Sequence, residues 1–251
     1  MNSDHVSLIA LAVIFSGGIL GIVLRRILPE EHFVLASEAV IKLVTGFVMT
    51  MTGIILGMLV SSAKASYDGQ KLLVAQMSSE VILLDRALAV YGPDTDTIRT
   101  QIRAALEAAA NRVWPSTRYT QVKLHPEDTM NRVEVQLNAL EPKTSSQAYA
   151  KTHSMALLNE LQKANWLLFV QSDTNKLSIP LLVILISWIV AIFISFGLYA
   201  PPNPTVIVTI LIGALAVSAA IFIIVEMYSP FSGIMKISST PVHEAIAQMG
   251  H

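Results

Sequence analysis

Uncharged, strongly apolar residues fill four stretches of the chain: Val6 to Leu24, Leu43 to Val60, Leu177 to Leu198 and Val206 to Val225. Each comes close to the ~20 residues that a helix needs to cross the hydrocarbon core of a bilayer. Backbone amides in lipid must be satisfied within their own segment, so such stretches can only be helices. The pattern predicts an all-α integral membrane protein with a first transmembrane hairpin over residues 1–60 and a second over 177–228. A helical soluble domain over 61–176 is inserted between helices 2 and 3, and a tail follows over 229–251.

The polar segments set the boundaries. Pro29 breaks the connector between the first two spans, the second helix starts near Ser37, and Lys42 can snorkel to the headgroups. The last two spans are joined by YAPPNPT, whose three prolines forbid a continued helix and predict a tight antiparallel hairpin. Between spans two and three, helical spacing is clear. Leu73, Met77, Val81, Leu84 and Leu88 form one row, stopped by GPD at Gly92 to Asp94, so the second span is expected to continue outward as one long helix. A second row carries Ile98, Ile102, Leu106 and Ala109 and ends before Pro115. A third, opened by HPEDT, carries Met130, Val133, Leu137 and Leu140 and ends at Pro142. A fourth starts near Ser145 and carries Met155, Leu158, Leu161 and Leu168. STRYTQVKL alternates enough to be extended. After the fourth span, Pro230 and Gly233 end the helix, and a short amphipathic helix starts at Pro241 with Thr240 as its cap.

Composition narrows the function. Hydrophobic residues make up 53% of the 251 and charged ones 14%, which leaves little chain for a separate enzyme domain. A formal net charge of -1 offers no basic patch for phosphates, so nucleic acid is not expected as a partner. The absence of cysteine excludes disulfides, thiolate metal sites, cysteine nucleophiles, palmitoylation and prenylation. Arg25 and Arg26 follow the first apolar run, with nothing basic before it, so that run reads as an anchor and not as a signal peptide. For orientation, Arg25, Arg26 and Lys42 on one side oppose Lys64, Lys71, Lys163, Lys176 and Lys236 on the other. That balance places the soluble domain and both termini in the cytoplasm.

Two patterns on the second span carry the candidate chemistry. Gly46, Thr50, Gly53 and Gly57 share one helix face, a small-residue stripe that permits close backbone approach, and Gly17 and Gly21 form a similar pair on the first span. Such stripes pack spans one and two within a subunit or pack subunits around an axis. A quarter turn from the stripe, Leu43, Phe47, Met51, Ile54 and Met58 form an apolar row through the membrane. By default it meets lipid or a neighbouring helix; in a pore it would be a constriction that gates by dewetting. No ionisable residue lies in mid-membrane, which argues against a proton-coupled pump. Trp188 in the third span reads as a packed aromatic. The histidines, at 5, 32, 125, 153, 243 and 251, have no metal-binding spacing, and no hydrolase or phosphate-loop motif is present, so neither enzyme activity nor a cofactor or metal is expected. Asp85 and Arg86 are more simply a structural ion pair than a catalytic one.

SSAKASYDGQ after span two, VILLDRALAVYGPD further along that helix, SFGLYAPPNPT between spans three and four, and EMYSPFSGIMKISSTPV after span four resemble the bestrophin-like domain family, a bacterial membrane family. Bestrophins are pentameric anion channels, and the resemblance implies an inner-membrane homo-oligomer with the second helix of each subunit lining a central pore. It would place the neck near Leu43, Phe47 and Met51. SPF resembles the bestrophin NPFG that precedes a calcium-binding acidic run, but no carboxylate follows Phe231, so no calcium clasp is expected. The implied function is passive conduction of small anions such as chloride. The alternative is a non-conducting membrane scaffold or sensor whose helical domain binds a partner protein.

Overall fold

A computed structural model describes residues 3–29, 35–114, 126–174 and 178–249. The described residues are helical, with no strand among them: α1 (Ser3–Ile27), α2 (Leu35–Tyr91), α3 (Asp96–Val113), α4 (Pro126–Ala139), α5 (Ser145–Thr174), α6 (Ile179–Tyr199), α7 (Pro204–Met227) and α8 (Thr240–Gln248). STRYTQVKL lies outside the described residues. Four helices, α1, α2, α6 and α7, are long and apolar enough to cross a membrane. The contacts divide the chain into two units, residues 1–67 with 175–235 and residues 68–174 with 236–251, and α2 supplies side chains to both.

In the first unit α1 is the central element. It packs extensively on α6 and α7, which touch each other little. The prolines of YAPPNPT end α6 at Tyr199; α6 and α7 make few close backbone approaches to each other, and α1 packs on both. Glycines on α1 make this possible. A Cβ on Gly17 would sit 3.0 Å from Val190 Cγ1, and one on Gly18 would sit 2.5 Å from Ile210 Cγ2 of α7. Gly21 and Gly197 meet backbone to backbone, with no room for a Cβ on either. The core formed around them includes Ile14, Leu185, Ala214, Ile221 and Ile224, all at most 1% exposed, with Leu59 and Ala63 of α2. Ser218 Oγ donates to Ser7 O at 2.5 Å and ties α7 to α1. Asn203 caps α7 by accepting from Val206 N at 2.9 Å, with Pro204 in the first turn where a missing amide costs nothing.

The second unit is a helical domain whose core joins all the amphipathic rows. Val81, Leu84 and Leu88 of α2 meet Ile98 and Ile102 of α3, Val133 and Leu137 of α4, and Leu158 and Leu161 of α5. Met77, Leu106, Met130, Leu140 and Met155 pack against them. α2 stops where Gly92 takes φ 114°, a left-handed conformation that favours glycine. A short 3-10 turn, Pro93–Thr95, follows, and buried Thr95 donates to Leu88 O at 2.7 Å. α4 ends at Ala139, short of Pro142, and Lys151 Nζ donates to the carbonyls of Asn138 and Leu140, both at 2.8 Å, a cation at a helix C-terminus. Residues 236–249 belong to this unit. Met249 is buried in its core, Trp114 Nε1 donates to Ile237 O at 2.8 Å, and Arg103 Nη1 donates to Met249 O at 3.0 Å. The cap of α8 is Ser239 and not Thr240, which is already helical; Ser238 instead holds Thr240 through its backbone amide and hydroxyl.

Candidate functional site

The first half of α2 presents the apolar row at the surface of the subunit. Leu43 is 76% exposed, Phe47 66%, Ile54 60% and Met58 67%, so these four are largely uncovered by their own chain, while Met51, at 38%, is more than half covered. The glycine stripe on the adjacent face is also open. A Cβ added to Gly46, Gly53 or Gly57 would meet nothing within 4 Å, and Thr50 turns its hydroxyl back to Gly46 O at 2.9 Å. Gly17 and Gly21 face α6, so the two stripes do not meet each other. Two glycines that complete the α1 packing, Gly18 and Gly197, were not singled out in the sequence. Gly18 faces Ile210 of α7 and Gly197 faces Gly18 and Gly21 of α1, partners on other helices that a single-helix pattern does not reveal.

Further along, α2 turns into the core of the first unit through Ile55, Leu56, Leu59, Val60 and Ala63. It is also tied there by polar contacts: Thr45 Oγ1 and Ser195 Oγ of α6 share a hydrogen bond of 2.9 Å, and Ser62 Oγ lies 3.5 Å from the Tyr228 hydroxyl. At the start of the apolar stretch Lys42 pairs with Glu38 at 2.5 Å and lies 6.0 Å from the centroid of the Tyr199 ring. A lysine stem beside an aromatic ring at a helix end is the arrangement expected at headgroup level. Trp188 is half-buried on α6.

Glu226, close to the end of α7, is 1% exposed. Its Oε1 accepts from the amides of Ile234 and Met235, the latter at 3.2 Å, and Ser3 adds a side-chain hydrogen bond. Gly233 takes φ 79° and leaves no space for a Cβ beside the carboxylate. The SPFSGIM turn is thus folded over a single carboxylate whose lone pairs are spent on backbone amides. An apolar span ending in a glutamate, followed within seven residues by a glycine, was the signal for this fold-back.

Several titratable groups of the second unit make contacts that hold its helices together. Asp85 is paired not with Arg86, which is exposed, but with Arg99 of α3, in a two-point contact at 2.8 and 3.0 Å. That bond to Asp85 raises the Arg99 pKa above its ordinary value, as Asp96 also does. Burial raises the Tyr91 pKa, with Asp94 and Glu141 adding to the effect. His153 stacks on Tyr149 with centroids 5.9 Å apart. Among the described residues no three or more histidine, aspartate or glutamate side chains are grouped so as to hold a metal.

The first half of α2 thus carries an open apolar row and an open small-residue stripe, with the Glu38–Lys42 pair at one end. The class is that of a helical protein with several membrane-length apolar helices. The chain belongs to the bestrophin-like domain family, whose model matches residues 11–242. No curated protein and no solved structure matches it significantly.

Proposed function

We propose that the protein is a homo-oligomeric, pentameric channel of the bacterial inner membrane that conducts small anions such as chloride passively. The four apolar helices span the bilayer, the helical domain and both termini lie in the cytoplasm, and the first half of α2 from each subunit lines a central pore. The observation that carries this reading is the exposure of Leu43, Phe47, Met51, Ile54 and Met58 on a helix whose neighbouring glycine face is also uncovered. Membership of the bestrophin-like family supports it. Five subunits, each contributing this helix, would bring the glycine faces together and turn the row towards an axis. Phe47 and Met51 then form a dry neck at which an ion must shed water, so that conduction depends on wetting.

Planar-bilayer recording of purified oligomers tests this. Chloride current is expected, and Phe47→Ala and Met51→Ala are expected to increase it by widening and wetting the neck. Silence across a range of voltages, in the wild type and in both variants, would refute conduction. Mass photometry in detergent tests the axis independently, because a monomer or dimer cannot enclose a pore and would leave an anchored helical module that binds a partner.

A further inference from the structure

Between α2, α6 and α7 lies a cleft of about 670 Å³, a volume within the range of small-ligand sites. Its walls grade from polar to apolar. Lys42, Tyr199 and Thr205 stand at the level where α6 ends and α7 begins, and Met49, Phe193 and Gly213 line it farther in. From Lys42 to Met49 the helix advances ~10 Å, about half of a membrane leaflet's depth and more. Close backbone approaches between α6 and α7 are few, and the Thr45–Ser195 hydrogen bond ties α2 to α6 at the cleft's edge. Two residues keep it open: Gly46 has no side chain, and the Gly213 backbone sits against the Phe193 ring, 3.3 Å from where a Cβ would be.

We infer that this cleft binds one phospholipid per subunit, with an acyl chain between α6 and α7 and a zwitterionic headgroup on the Glu38–Lys42 pair. The grading of the wall argues for an amphiphile, with a charged pair and a tyrosine at one end and Met49, Phe193 and Gly213 farther in. A flexible hydrocarbon chain fits such a space and gains by covering its apolar wall. Charge decides the headgroup. Lys42 attracts a phosphate, but its partner Glu38 lies at 2.5 Å, so a purely anionic headgroup meets a carboxylate beside the lysine. A phosphate with an ammonium attached matches both members of the pair. Tyr199, under Lys42, offers the amphipathic ring common at that depth.

The test uses the full chain in mild detergent and native mass spectrometry. Four probes are added separately: phosphatidylethanolamine, phosphatidylglycerol and diacylglycerol with the same acyl chains, and inorganic phosphate. One phosphatidylethanolamine per subunit is expected, at least tenfold above the other two lipids, with no retention of inorganic phosphate. Thr209→Trp places an indole in the cleft from an exposed position on α7, and should lower that retention at least tenfold while circular dichroism and thermal stability are unchanged. Lys42→Gln should remove the preference over diacylglycerol, and Glu38→Gln should raise phosphatidylglycerol towards phosphatidylethanolamine. Equal retention of all three lipids, no retained lipid, or full retention by Thr209→Trp would each overturn the inference. The same spectra count subunits. A monomer that keeps its phosphatidylethanolamine sustains the lipid site while refuting the pore, and a conducting oligomer without lipid does the reverse.

Discussion

Replacing Gly21 by alanine should weaken the membrane-helix unit more than any other single methyl addition in α1. The new Cβ would collide with the Ile194 carbonyl oxygen and lie 3.0 Å from the Gly197 Cα, and neither is a side chain that can rotate away. Carbon contacts settle at ~3.5–4.0 Å, so α1 and α6 must separate by roughly 0.5–1 Å, which forfeits a quarter to a half of each contact's attraction. With on the order of 100 contacts at ~0.1 kcal/mol across the crossing, the loss is ~2.5–5 kcal/mol. That is at or above the usual cost of overpacking, ~1–3 kcal/mol. Gly53→Ala is the matched control within one subunit, since there its Cβ meets nothing within 4 Å and alanine is the better helix former. Thermal unfolding of dissociated subunits in detergent, followed by circular dichroism, reads both, because in the proposed oligomer Gly53 faces a neighbour. Gly21→Ala within ~0.5 kcal/mol of wild type, or a subunit destabilised as much by Gly53→Ala, would refute the reasoning, because each effect is assigned from contact distances alone.

Three further outcomes follow from the geometry. Asp85→Ala strands the Arg99 guanidinium and should cost about 2–4 kcal/mol, below the 3–5 of a fully buried pair because Arg99 reaches solvent, whereas Arg86→Ala should stay within ~0.5 kcal/mol in the same denaturation experiment. Glu226→Ala removes the acceptor of the Ile234 and Met235 amides; water can reach this exposed turn and replace the carboxylate in part, so the loss should be about 0.5–1.5 kcal/mol per bond; hydrogen exchange at those two amides should accelerate, and unchanged protection would contradict the carboxylate's role. Because burial raises the Tyr91 pKa in the folded domain above its unfolded value, the corresponding stability is complete below the ordinary tyrosine pKa and is lost as pH rises through the folded one. Alkaline unfolding monitored beside the phenolate absorbance should therefore move to higher pH in Tyr91→Phe, and an unmoved alkaline limb would exclude this residue as its source.

Period and punctuation made the helices legible. The rows Val81–Leu84–Leu88, Ile98–Ile102, Val133–Leu137 and Leu158–Leu161 were visible as helical spacing and all meet in one core, since each amphipathic helix must bury its stripe somewhere. Gly92 was visible as a stop because only a residue free of Cβ strain ends a helix in the left-handed region. Partner choice was not visible. Asp85 neighbours Arg86 in sequence, yet adjacent residues on a helix point about 100° apart, and the carboxylate found Arg99 on the next helix. YAPPNPT marked a turn correctly but could not say that α1 would be the main partner of both helices it joins. The tail read as a separate amphipathic end, although Met249 completes the core of the helical domain.

Local covalent facts, the length of each apolar run, the 3.6-residue period, and where proline and glycine interrupt it, are written residue by residue, so the chain alone determined the all-helical class and most helix limits. Which helix faces which depends on side-chain shape across distant segments: Gly18 against Ile210, Gly21 against Gly197, and a 670 Å³ cleft where no side chain fills the gap. Those matches are properties of pairs of surfaces, and no single stretch of sequence contains both members. The fold therefore decided which glycines are spent inside the subunit and which, on α2, remain open for a neighbour.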